Sequence, residues 1–342
     1  NRSISMGELP RPEGRGFLLH PPSIEVSPQD SGRGPGATLL APLQDHARLR
    51  GRKPGNQKNE DKMDRYYYAF DASSFDRHLK DVDVLVSAGL CWKKEGCCGA
   101  GRLAVPKYLD GARSIMIDSG AYSFKEYPFS LEEYVEWVFE FWDTYPQLGY
   151  AATPDFIIPR SMDESERRNQ IEESLENGWD LMRDCVHPWK QDDIQWIFTI
   201  QGSTLADYQH AVQYIWDCEE EGTGGWNYHM AVGSLKGRTN VAEIYQILKY
   251  VRENIPAICS IHAFGLTYQV LKDPGIRSLI TSADSGAWRQ DCTGAHDRYP
   301  KNQNDKFRNF RAYKQRIDRL LEADQTQSSL NASLGPRGWR SA

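Results

Sequence analysis

Residues 258–288 read "ICSIHAFGLTYQVLKDPGIRSLITSADSGAW". An apolar run over 258–264 leads through Gly265 into a short helical piece. A second apolar run over 278–284 then stops on the carboxylate of Asp284, with Ser285-Gly286 behind it. Strand, helix, strand within so few residues is the unit from which parallel sheets are built. "SIMIDSGAYSF", residues 114–124, ends its apolar run in the same way, on Asp118-Ser119-Gly120. Further strands are expected at 65–70, 83–88, about 149–158, 195–201 and 228–233. Helices are expected at 130–145, 164–184, 204–220, 240–254 and 305–323. Within 240–254, Val241, Ile244, Ile247, Leu248 and Val251 recur every three or four residues, which is one helical face. Eight strands with helices between most of them predict a single-domain (β/α)8 TIM barrel over 63–324; a doubly wound open sheet is the rival.

Residues 1–62, rich in Gly, Pro, Ser, Arg and Gln without a sustained period, are expected to be a disordered leader, and 325–342 a disordered tail. The net charge of −6 is unevenly spread: the leader carries +3 and residues 297–342 carry +5, leaving −14 for the middle. That pattern suits an acidic catalytic body with basic appendages. No run of about 18 apolar residues is present, so no membrane span is expected. The cysteines at 91, 97, 98, 185, 218, 259 and 292 form no CxxC pair. Neither a disulfide framework nor a four-ligand zinc site is legible, and a cytoplasmic location is expected.

In a barrel of this kind the C-terminal strand ends carry the chemistry. Those ends are Asp118-Ser119-Gly120, Asp155, Gln201-Gly202, Gly233 through Arg238, His262 with Phe264-Gly265, and Asp284-Ser285-Gly286. Carboxylates serve as nucleophile or acid/base, and glycines let backbone approach a flat ligand. Singly, each has an ordinary explanation as helix cap, turn or interior histidine. The set, in its order along the chain, is what carries a functional reading.

In that order the motifs resemble the tRNA-guanine transglycosylases and their relatives that act on deazapurines in DNA, through nearly all of 63–316. The resemblance makes Asp118 the residue of base recognition and proton transfer, with Ser119, Gly120 and Tyr122 beside it. "ATPDFIIPRSMDESERRNQ" supplies Asp155 as a second base-binding residue. "IFTIQGS" supplies Gln201 and Gly202, and "MAVGSLKGR" supplies Gly233, as edges that hydrogen-bond the purine. "SADSGAW" places Asp284 as the covalent nucleophile. Exchange of guanine for a 7-deazaguanine base in DNA is then the implied reaction. Two alternatives stay open: the same exchange on tRNA, of the queuine or archaeosine type, or a barrel that binds nucleobases or nucleic acid without turnover. Two neighbouring carboxylates push their pKa values apart, which suits divided roles. Tyr122 and Trp288 are placed either to stack on the base or to pack in the core.

The tRNA enzymes carry a zinc site of the form Cys-x-Cys-x-x-Cys with a later His, whereas here only Cys292 and His296 follow Asp284. No metal and no cofactor are therefore expected, recruitment of Cys91, Cys97 or Cys98 aside. The chain ends soon after the last barrel helix, with no RNA-binding domain appended, which also favours DNA. Expected partners are DNA or tRNA and the free deazapurine base; a homodimer, as members of that family often form, and a duplex-opening partner stay open. The segment "RYPKNQNDKFRNFRAYKQRIDR" interleaves basic and aromatic residues, among them Arg308 and Arg311 as phosphate contacts, with Phe307 and Phe310 read as packing. Lys236 and Arg238, on a rim loop, are expected to contact phosphate beside the target nucleotide.

Overall fold

The computed structural model describes residues 63–70, 79–94, 101–186, 194–289 and 303–334. The expected leader, Cys97, Cys98, Cys292 and His296 lie outside the described residues. The chain forms β1 (Arg65–Ala69), β2 (Asp83–Ser87), a short α1 (Ala88–Cys91), the hairpin strands β3 (Trp92–Lys94) and β4 (Gly101–Leu103), then β5 (Ser114–Asp118) and α2 (Leu131–Thr144). It continues through β6 (Leu148–Ala152), α3 (Glu164–Asp180), β7 (Gln195–Ile200), α4 (Leu205–Glu221), β8 (His229–Val232) and α5 (Val241–Asn254). The last elements are β9 (Ser260–Ala263), α6 (Tyr268–Leu271), α7 (Pro274–Arg277), β10 (Ser282–Ser285) and α8 (Gln303–Leu334). Eight strands close in the order β1-β2-β5-β6-β7-β8-β9-β10, with β10 paired back on β1 and every pairing parallel. This is the expected (β/α)8 barrel. No described helix is long and apolar enough to cross a membrane.

The period of two in each strand sorts side chains between two cores. Val84, Val86, Ile115, Ile117, Ile261 and Ala283 pack outward under the helices. Tyr67, Leu85, Met116, Ala152, Ile197 and Ala231 form a separate inner cluster that fills the barrel. The same inward parity carried two residues further leads from Leu85 to Ser87, from Met116 to Asp118 and from Ala231 to Gly233. Polar groups therefore sit directly above an apolar plug.

Helix starts follow local chemistry. Ser130 and Glu133 form a reciprocal capping box before α2, and Asp163 caps α3 by accepting from Glu166 N–H at 2.9 Å. Helix α3 runs on as a π-wound segment, Leu181–Val186. The single short helix expected between the last two strands is two, because Pro274 starts a new one capped by Asp273.

Three expectations need correction. The strand expected over about 149–158 ends at Ala152, since Pro154 has no N–H to extend the ladder. The β3–β4 hairpin was not anticipated: its strands are three residues long and polar. Helix α8, expected over 305–323, runs on through a further segment to Leu334. That segment's Ser- and Gln-rich composition contains no helix breaker before Gly335-Pro336, and Asp324 is bonded through both carboxylate oxygens to Arg277.

Candidate active site

The C-terminal rim of the barrel opens into a cleft of about 650 Å³. Asp118, Asp155 and Asp284 all line it, although they come from β5, the loop after β6, and β10. Asp118 stands level with Ser87 of β2, whose hydroxyl donates to Asp118 Oδ1 at 2.8 Å. The same oxygen accepts from Gly120 N–H at 2.7 Å, a contact that requires the left-handed backbone of Gly120 (φ +83°). A side chain there would collide with the Gly89 backbone at 2.6 Å. Burial pushes the Asp118 carboxyl up to about 7; the Ser87 and Gly120 donors oppose the shift, and the charges of Asp284 and Asp155 add to it.

Asp284 is 5 % exposed, and its Oδ1 accepts from Gly265 N–H at 2.8 Å. Among the described residues neither Asp118 Oδ2 nor Asp284 Oδ2 has a hydrogen bond to protein. Each carboxylate is thus anchored by one oxygen and open at the other.

Asp155 is wired differently. Ser119 Oγ donates to its Oδ1 and Gln201 Nε2 to its Oδ2. Tyr127 clamps its backbone from both sides, donating to the carbonyl at 2.7 Å and accepting from the N–H at 3.1 Å. Burial raises the Asp155 carboxyl above its ordinary range, against the pull of these donors. Gln201 Oε1 accepts from Ser234 Oγ at 2.6 Å, which fixes which end of the amide meets Asp155. Gly233 faces this amide so closely that an added Cβ would lie 2.4 Å from Gln201 Nε2.

Apolar walls complete the cleft. Leu85, Leu90, Ile157 and Phe264 line it, and Tyr122, 55 % exposed, stands at the rim under Lys236, whose Nζ lies 4.1 Å from the ring centroid.

The other sequence-predicted residues sit elsewhere. Gly120 and Gly202 do not line the cleft; Gly202 is packed against Asp207 and Tyr208 of α4. His262 lies below the cleft and lines a smaller cavity of about 130 Å³ toward the other end of the barrel. Arg238 is no free phosphate contact: it bonds the carbonyls of Ser234, Gly202 and Ser203 and pairs with Glu243. Trp288 is fully buried against Phe310, with its indole N–H on Ala69 C=O at 3.1 Å, so it packs and does not stack on a ligand. Arg308 and Arg311 are exposed on α8 and outside the cleft lining. Tyr66 meets Tyr313 and Tyr68 meets Phe310, so α8 runs antiparallel to β1 and its N-terminal half lies toward the rim.

Sequence reading missed Ser87 and Tyr127. Ser87 was recoverable from the inward parity of β2, whereas Tyr127 reaches Asp155 from a loop that carries no pattern. Among the described residues no three His, Cys, Asp or Glu side chains are grouped to hold a metal ion. Compared with protein-family models and with curated proteins, the chain matches none.

Proposed function

We propose that this protein is a transglycosylase that exchanges guanine for a 7-deazaguanine base in DNA through a covalent Asp284 intermediate. The observation that carries the reading is the pair Asp118 and Asp284: each is held by a backbone N–H on one oxygen, each is open at the other, and both line one cleft. Asp284 Oδ2 bonds C1′ of the target nucleotide while the C1′–N9 bond breaks, its electron pair going to the departing guanine. Asp118, poised near neutrality, gives that nitrogen its proton. The incoming base returns a ring N–H proton to Asp118 and attacks C1′, and Asp284 leaves as carboxylate. Gln201, Asp155 and the Gly233 edge are the groups for the base's polar rim. The target base leaves its stack to reach the cleft, at a cost of a few kcal/mol. Lys236 stands at the rim for the flanking phosphate.

DNA is placed ahead of tRNA because the Cys-x-Cys-x-x-Cys run that the tRNA enzymes carry after the nucleophile is missing from this sequence. Incubation with a labelled 7-deazaguanine and either duplex DNA or tRNA tests the reading. Label is expected in DNA; label in tRNA alone overturns the choice of polymer, and label in neither leaves a non-catalytic nucleobase-binding barrel. Asp284→Asn is expected to abolish the protein–nucleic acid adduct, and an adduct that persists places the nucleophile elsewhere.

A further inference from the structure

His262 is 3 % exposed and stands level with Ser282, one inward layer below Asp284. Its Nδ1 meets Ser282 Oγ at 2.8 Å. Its Nε2 lies 3.4 Å from Asp284 Oδ1 and has no hydrogen-bond partner among the described residues. Tyr67 and Phe264 box the ring, with centroids 5.8 and 4.5 Å away, so the imidazole has little freedom to turn elsewhere. Below it the small cavity is bounded by Asp64, Arg65, Tyr150 and His229, none of which bonds the ring. A buried polar nitrogen without a partner calls for a reason. A bare Nε2 lone pair would repel the carboxylate oxygen, whereas Nε2–H attracts it. Ser282 can donate to Nδ1 as readily as accept from it, so the Nε2–H form satisfies both contacts.

We infer that His262 is a positioning residue for Asp284, presenting Nε2–H to Oδ1 beside the Gly265 N–H that already holds that oxygen. Its catalytic consequence rests on the base-exchange reading above. When Oδ2 bonds C1′, Oδ1 becomes the carbonyl oxygen of the glycosyl ester; when the ester breaks, negative charge returns to Oδ1. The 3.4 Å gap closes to hydrogen-bond length as that charge returns, so His262 favours the half-reaction in which Asp284 is the leaving group.

Two substitutions and one spectrum test this. His262→Phe keeps a ring without a donor, and His262→Gln offers an amide N–H near the place of Nε2. In folded protein, checked by circular dichroism and thermal midpoint, His262→Phe is expected to slow resolution of the adduct by incoming base about 10- to 100-fold. Adduct formation should change less, and His262→Gln should restore most of the lost rate. Wild-type resolution in the Phe variant overturns the proposal. Independently, ¹⁵N NMR of histidine-labelled protein without substrate is expected to show a protonated Nε2 whose resonance moves in Asp284→Asn. A bare Nε2, or a resonance indifferent to that substitution, also overturns it. The spectrum requires no reaction, so it decides the contact even where the absence of any adduct defeats the base-exchange reading itself.

Discussion

The backbone N–H of Gly265 donates to Asp284 Oδ1 at 2.8 Å, and the donor comes from the loop after β9, not from the Ser285-Gly286 that follows Asp284 in sequence. At Asp118 the corresponding donor is local, Gly120, two residues on. The two Asp-Ser-Gly motifs thus arrive at the same end state, one carboxylate oxygen fixed and one open, by different wiring. Gly120 and Gly265 both take positive φ (+83° and +77°), the backbone state that turns an N–H back toward the carboxylate. Both serines accept from the N–H two residues on, Ser119 from Ala121 at 3.4 Å and Ser285 from Ala287 at 3.0 Å, and Ser119 also donates to Asp155. The motifs share the serine turn and the acid at a strand end, and differ in which glycine holds the acid.

Asp118 makes stability and reaction depend on pH in a defined window. Burial pushes its carboxyl up to about 7 in the folded chain from an ordinary 3.8. A raised carboxyl pKa gives stability that is complete at low pH and lost as pH rises from about 4 through about 7. Asp118→Asn is therefore expected to be more stable than wild type at pH 8 by about 2 kcal/mol, after allowing for water in the cleft, and to lose that advantage near pH 4. Urea midpoints of both proteins at the two pH values measure it. Adduct formation should fall in wild type above about pH 7, as Asp118 loses its proton.

Gly233→Ala is expected to damage base binding through Gln201 and not through backbone strain. An added methyl lies 2.4 Å from Gln201 Nε2, so the amide must move, giving up the Nε2–H bond to Asp155 and the Oε1 bond from Ser234. Loss of that network should cost about 1–3 kcal/mol of stability and raise KM for the free base at least about tenfold. The double variant Gly233→Ala/Gln201→Ala should regain part of the stability but none of the base affinity, as a double-mutant cycle would read it.

What the sequence displayed and what it hid divide along physical lines. The ends of the apolar runs were visible, and they brought Asp118, Gln201, Gly233 and Asp284 to one rim. Depth along a strand was not visible. His262 shares the inward parity of Phe264, yet its pairing with Ser282 sets it a layer too low to touch a ligand in the cleft. The number of acceptors around a basic side chain was hidden too: Arg238 reads as a rim cation, while in the fold it is enclosed by carbonyls from two loops.

Lys236 and Arg238, two residues apart, are expected to separate cleanly in a salt titration. Lys236 is exposed at the rim, so Lys236→Ala should lower the slope of log affinity for DNA against log salt by about 1 and leave the thermal midpoint unchanged. Arg238 has a 9 % exposed side chain and bonds four groups. Arg238→Gln loses that fork and its charge; it should destabilise the fold by about 1–3 kcal/mol with no change in the salt slope. A salt slope reduced by about 1 in Arg238→Gln would return Arg238 to the nucleic-acid surface.

The C-terminal part of the closing helix carries a nearly buried ion pair. Arg277, at the end of α7, is 7 % exposed in its side chain; it meets Asp324 Oδ2 at 2.6 Å and Oδ1 at 2.8 Å, and it also donates to Leu271 C=O at 2.5 Å. Removing one member strands the other charge in a nearly dry site, so Asp324→Ala is expected to cost about 2–4 kcal/mol, read from the urea midpoint. Backbone amides of α8 beyond Arg319 should exchange faster in that variant while those of β5 and β7 stay protected. Replacing both partners with apolar residues, Arg277→Met with Asp324→Leu, should recover most of the loss, because no buried charge is then left without its partner. A double variant as unstable as Asp324→Ala would mean that Leu271 C=O, and not the ion pair, is what Arg277 serves.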